Sequence, residues 1–168
     1  MHEITFKGNP VHTNGPAIQP GLKAPDFVLT YQDLTDKKLS DYSGKKIVLN
    51  IFPSIDTSVC AQSVRRFNEE ASNLENTVVI CISRDLPFAH KRFCAAEGLD
   101  DVVTLSAMRE NSFGEKYGVT IIDGPMKSLF SRVVIVLDEN HNVAYTQQVP
   151  EISDEPDYGK AVESLKNI

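Results

Sequence analysis

The sequence predicts a mixed α/β sheet with helices on both faces, and three observations carry that reading. Short apolar runs of strand length recur at residues 46–52, 77–83, 102–105 and 132–137. Segments with helical spacing or helix-end signals lie between successive runs. The last run turns through Asp138-Glu139-Asn140-His141-Asn142 into Val143–Gln148, which predicts an antiparallel hairpin before a final helix. Strands and helices that alternate and then end in a hairpin pack as layers on one sheet, and ligands gather at the carboxyl ends of its strands. The 168 residues suit one domain with a real core.

Residues 1–30 form an extended, hairpin-rich lead-in. Ile4–Phe6 and Val11-His12 flank a Gly8-Asn9 turn, Asn14-Gly15-Pro16 and Pro20-Gly21 punctuate the chain, and Asp26–Thr30 is a short strand. Residues 46–52 follow the turn Ser43-Gly44 and read as a central strand. In about 57–74, Cys60, Val64, Phe67, Ala71 and Leu74 recur at steps of four and three, one face of an amphipathic helix. Residues 77–83 are a buried strand. Pro87 suits the first turn of a helix that ends near Gly98. Residues 102–105 are a strand, Ser112–Tyr117 a short helix stopped by Gly118, 132–137 a strand, and Tyr158–Leu165 the closing helix.

The net charge of −6 and the absence of a basic block argue against nucleic acid or an anionic membrane surface as partner. No stretch is long and apolar enough to span a bilayer, and Met1–Lys7 lacks the pattern of a secretory signal. Three cysteines are an odd, sparse set, unlike a disulfide scaffold. The expected compartment is the cytoplasm, where a disulfide is transient and catalytic.

Cys60 falls in the first turn of the predicted helix, where unpaired N–H groups and the helix dipole favour a thiolate. The helical stripe by itself equally describes a packed core cysteine. Two neighbours shift the balance. Thr57 lies one turn back, so its hydroxyl can point at the sulfur, and Pro53 ends the strand and shapes a loop over the site. Together they suggest a small pocket for a small polar substrate.

Cys94 lies in a helical segment with His90, Lys91 and Arg92, cationic neighbours that would lower a thiol pKa; a semi-buried structural cysteine fits the same position. Cys81, inside an apolar run, reads as inert packing. Cys60 and Cys94 are 34 positions apart, and a bridge between them would constrain the unfolded chain by roughly 3–4 kcal/mol. Thr57 stands where the first cysteine of a Cys-x-x-Cys pair would be, against a dithiol oxidoreductase with adjacent thiols. His90 and Cys94 alone make a weak metal motif, so neither metal nor cofactor is expected.

Two segments carry a family resemblance. Pro53-x-x-x-Thr57-x-x-Cys60 is the general peroxiredoxin pattern, and Ser83-Arg84-Asp85-Leu86-Pro87-Phe88-Ala89-His90-Lys91-Arg92-Phe93-Cys94 is the more specific one. The chain as a whole resembles the thiol peroxidase family, a branch of the atypical two-cysteine peroxiredoxins. The resemblance implies one thioredoxin-like domain over 1–168, with 1–30 as an added N-terminal hairpin extension. It implies a peroxidatic Cys60, a resolving Cys94, hydroperoxide substrates, reduction by thioredoxin and a homodimer. It also makes Arg132 the active-site arginine, a residue whose position alone describes a solvated strand-end charge. Because Cys60 and Cys94 belong to different helices, their union requires local unwinding of one segment or both.

Overall fold

Every residue of Val133–Leu137 is apolar and buried, as in a strand covered on both faces. The computed structural model describes residues 1–168. In chain order the elements are β1 (His2–Phe6), β2 (Asn9–Thr13), β3 (Val28–Thr30), β4 (Asp36–Lys38), a 3-10 turn (Leu39–Tyr42), β5 (Lys46–Ile51), α1 (Ser58–Ala71), β6 (Thr77–Ser83), α2 (Pro87–Glu97), β7 (Val103–Ser106), α3 (Ser112–Tyr117), β8 (Val133–Leu137), β9 (Val143–Gln148) and α4 (Tyr158–Lys166). Seven strands form one mixed sheet in the order β4-β3-β7-β6-β5-β8-β9, and β1 and β2 form a separate hairpin. β5, β6 and β7 are parallel, whereas β8 runs antiparallel to β5 and β9 antiparallel to β8.

Alternation along the central strands builds two cores. Ile47, Leu49 and Ile51 pack with Phe27, Phe113 and Tyr117 beneath α3 and the segment that follows the hairpin. Val48 packs on the opposite side with Phe67, Phe93 and Tyr158 from α1, α2 and α4. The sheet is therefore flanked by helices on both sides, as the alternation predicts.

Three local features differ from the sequence reading. The hairpin turns at Lys7-Gly8, not Gly8-Asn9: Phe6 pairs with Asn9, and both turn residues take positive φ. β4 and the 3-10 turn leave no mark in the hydrophobic pattern, because Asp36-Lys37-Lys38 is a charged edge strand with no apolar signal. α1 stops at Ala71, so Leu74 packs on the core from beyond the helix. At the end of α3, Gly118 has φ +70, and a Cβ there would lie 2.0 Å from the Pro16 carbonyl oxygen. A glycine here lets the post-hairpin segment lie against the domain.

Candidate active site

β5 delivers the chain to the sheet's carboxyl edge, where the buried Pro53 ends it. Thr57 is then the N-cap of α1 in extended conformation, and Cys60 occupies the first helical turn with no exposed surface. Thr57 does not point its proton at the sulfur. Its Oγ donates to the Ser54 carbonyl at 3.1 Å, which leaves its lone pairs free to accept a proton donor.

Arg132 immediately precedes β8 and corrects the reading of a solvated charge: it is 1% exposed. Its Nη2 donates to Cys60 Sγ at 3.4 Å and its Nε to the Ile152 carbonyl at 2.9 Å, while Nη1 has no hydrogen-bond partner in the protein. No carboxylate forms an ion pair with it. A buried cation without an anion is costly, and an ionised Cys60 supplies one at hydrogen-bond range. Arg132, Pro53 and Thr57 line a cavity of about 400 Å³, together with Phe6, Val59, Met126 and Ile152. Hydrophobic side chains and one guanidinium thus border the same space, beside a sulfur.

The N-terminal hairpin helps to set this arginine. Glu151 accepts bonds from Thr5 Oγ, Lys7 N and Gly8 N, clamping the hairpin tip, and its carboxyl is held down at about 2 by these bonds, led by Thr5. Thr5 and Ile152 pair through their backbones, and the Ile152 carbonyl holds Arg132 Nε.

Cys94 lies on the same side of the sheet, buried in α2, and all three cysteines are free thiols. The cationic neighbours do not act on it as the sequence suggested. Burial pushes its pKa up, with Asp100 and Glu97 adding to the rise against bonds to Thr104 and Gln32. Arg92 instead pairs with Asp56 in solvent, and His90 turns inward toward Ser83. Cys81 is buried, with Asn50 Nδ2 3.7 Å from its sulfur, and burial raises its pKa to about 12.

Cys60 and Cys94 are brought to one face but not together. Cys60 sits in α1, which packs on β6, and Cys94 in α2, which packs on the neighbouring β7. Both sulfurs are buried as free thiols on separate helices, and a disulfide needs Cα atoms within about 7 Å.

The sequence reading missed Ser54, Asp85 and the hairpin's contribution to the cavity. Asp85 accepts from Ser54 Oγ at 2.7 Å and from Ile55 N at 2.8 Å. Asp85 stands in the Ser83–Cys94 segment that carries the resemblance, but the string assigns it no contact with Ser54 or Ile55. Nothing in residues 1–13 indicated contact with the site, since it spans more than a hundred positions.

A sulfur in the first turn of a helix, an adjoining buried guanidinium and a covered sheet define a thiol-based redox protein. The family described as Redoxin matches residues 19–162. A thiol peroxidase of Corynebacterium glutamicum is 52% identical over 98% of this chain and 99% of its own, and one of Mycobacterium bovis is 50% identical over the same shares. A peroxiredoxin-like protein from Aquifex aeolicus superposes with a TM-score of 0.94 at 38% identity, covering 99% of this chain and 97% of that one. A thiol peroxidase from Chromobacterium violaceum shares the fold, with a TM-score of 0.91 at 21% identity over 99% and 97% of the two chains. The chain belongs to the thiol peroxidase family: it is a peroxidase of thioredoxin-like fold, with an added N-terminal hairpin.

Proposed function

We propose that this peroxidase reduces hydrogen peroxide and organic hydroperoxides through a sulfenic acid on Cys60 and an intramolecular Cys60–Cys94 disulfide, recycled by thioredoxin, in antioxidant defence. The observation that carries the reading is the 3.4 Å contact between Arg132 Nη2 and Cys60 Sγ beside a partly apolar cavity. The thiolate attacks one peroxide oxygen. An S–O bond forms, the O–O bond breaks, and its electron pair leaves on the other oxygen, which departs as water or alcohol once protonated. Negative charge grows on that oxygen in the transition state. Arg132 Nη1, with no protein partner, is the donor available to it, and Thr57 Oγ is the acceptor available to the hydroperoxide O–H. Pro53 closes the wall and excludes water.

Cys94 then attacks the sulfenic sulfur: the S–S bond forms, the S–O bond breaks and water leaves. Burial raises the pKa of Cys94, which keeps it a protonated, weakly nucleophilic thiol in the closed form, and it is held in a different helix from Cys60. The first turn of α1, the Cys94 segment of α2, or both must unwind for the disulfide to form. A reduced thioredoxin dithiol restores both thiols by exchange. In this proposal residues 1–168 act as one domain in a cytoplasmic homodimer, and exposed Leu86 and Phe88 provide apolar surface for pairing. No helix is long and apolar enough to cross a membrane.

The test pairs Cys60→Ser with Cys94→Ser. Cys60→Ser loses peroxide consumption; Cys94→Ser consumes about one peroxide per chain and then stalls with thioredoxin. Full thioredoxin-linked turnover by Cys60→Ser overturns the assignment.

A further inference from the structure

Both segments that must move are fastened to one largely buried carboxylate, the Cys60 loop directly and the Cys94 helix through Ser83. Asp85 follows the end of β6, so its backbone continues from the rigid sheet, and its side chain is 12% exposed. Oδ1 accepts from Ser54 Oγ at 2.7 Å, and Oδ2 accepts from Ile55 N at 2.8 Å and from Ser83 Oγ. Ser54 in turn holds both the amide and the hydroxyl of Thr57 through its carbonyl. These bonds tie down the loop that leads into Cys60.

On the other side, His90 is wholly buried one helical turn before Cys94, and its Nε2 lies 2.8 Å from Ser83 Oγ. The chemistry of the chain of bonds fixes the proton. Ser83 has a single hydroxyl hydrogen and gives it to Asp85, so it must accept from His90. We assign the His90 proton to Nε2, which leaves Nδ1 bare, buried and without a partner. The order of donation is His90 to Ser83 to Asp85, with Ser54 and Ile55 donating from the opposite side. Unwinding the Cys60 loop costs Asp85 the bonds from Ser54 and Ile55; unwinding α2 through its first turns costs Ser83 its bond from His90.

We propose that Asp85, with Ser83 and His90, is a positioning clasp that sets how often the Cys60 and Cys94 segments open, and so divides oxidised Cys60 between disulfide formation and further oxidation. The proposal rests on the Cys60–Cys94 cycle above. In the closed form the sulfur lies buried against Arg132, which lines the cavity, and Cys94 is held in a separate helix. A second hydroperoxide there transfers one oxygen to it, yielding a sulfinic acid and an alcohol, a dead end. In the open form Cys94 reaches the same sulfur and water leaves. A tighter clasp favours the first outcome and a looser one the second. None of the three residues touches the reacting atoms.

Ser54→Ala removes one hydrogen bond to the carboxylate and leaves α2 untouched. Asp85→Asn removes the charge and keeps the shape. A bond to an ionised acceptor governs an equilibrium by about tenfold. Rapid-quench alkylation after one equivalent of peroxide, followed by mass spectrometry, is expected to show the Cys60–Cys94 bridge forming about tenfold faster in both variants. The peroxide concentration that converts half of the Cys60 to sulfinic acid during thioredoxin-driven turnover rises by a similar factor. His90→Gln retains an amide donor for Ser83 and keeps the wild-type partition, whereas His90→Leu shifts it. A merely structural role lowers the rate of the first oxidation without moving this partition. If the wild-type bridge forms and both Ser54→Ala and Asp85→Asn leave its rate and the sulfinic threshold unchanged, the clasp is overturned alone. If the wild type forms no Cys60–Cys94 bridge, the resolving role falls and the clasp with it. Should Asp85→Asn fail to fold, Ser54→Ala decides.

Discussion

Replacing Arg132 with glutamine removes the one cation in contact with the Cys60 sulfur. Two unit charges 3.4 Å apart attract by about 5 kcal/mol at an effective dielectric near 20, and water in the adjoining cavity lowers that figure. As an independent gauge, removing one preorganised donor at a reacting oxygen costs about a hundred- to thousandfold in rate in other enzymes, about 3–4 kcal/mol. The two routes agree on a fall of about a hundred- to a thousandfold in the rate constant for Cys60 oxidation. Arg132→Lys keeps the charge but cannot hold the Ile152 carbonyl and the sulfur from one planar fork, and its deficit is smaller, about tenfold or more. The assay is rapid mixing with hydroperoxide, an acid quench and quantitation of Cys60 oxidation. Iodoacetamide labelling at neutral pH runs in parallel and reads the thiolate directly. Thermal unfolding provides the control: Arg132→Gln loses the bonds to the Ile152 carbonyl and Cys60 and part of a fully buried side chain, so stability falls, and the rates are compared at a temperature where the variant is folded. Oxidation of Cys60 at the wild-type rate in a folded Arg132→Gln protein refutes the argument.

Three further outcomes follow from the same geometry. Cys81, held near 12 by burial, resists alkylation in the native protein at neutral pH, and Cys81→Ala keeps thioredoxin-linked turnover while losing about 1 kcal/mol of stability by denaturant titration. For Asp85, burial opposes ionisation, but the His90 imidazole 3.8 Å away and bonds from Ser83, Ile55 and Ser54 outweigh it and bring the pKa from 3.8 to about 2. Ionised Asp85 therefore stabilises the fold above about pH 4, and roughly 2 kcal/mol is lost as pH falls toward about 2; Asp85→Asn flattens that part of the stability–pH curve. Gly118→Ala meets both the positive φ and the Pro16 carbonyl, and its thermal midpoint drops by an amount equivalent to about 2 kcal/mol or more.

Much of the fold is legible because burial writes itself into the sequence. Val133–Leu137 and Thr77–Ser83 are read from apolar runs, and Ser112–Tyr117 from its Gly118 stop. What escapes has no such mark. β4 is a charged edge, and the hairpin turn slips by one residue because Lys7 adopts the positive φ expected of a glycine. Cys60, Thr57 and Pro53 are legible as a local string whose spacing brings them to one helix mouth. Arg132 is not. It sits at a strand end, where charges are usually wet, and its burial comes from the hairpin and the Glu151–Ser153 loop closing over it. Cys94 misleads in the opposite sense. Lys91 and Arg92 are its neighbours along the chain, but neither lowers its pKa, which buried surroundings and nearby carboxylates raise. Chain proximity on a helix decides little when the side chains leave on different faces.

The central claim is tested most directly by peptide mapping of the reduced protein after one equivalent of hydroperoxide, with free thiols blocked by an alkylating reagent. The account predicts loss of two hydrogen atoms from the intact mass, a single cross-linked peptide joining Cys60 to Cys94, and a fully alkylated Cys81 after denaturation. A bridge that includes Cys81, or a Cys60 that remains an unoxidised thiol while peroxide is consumed, contradicts it.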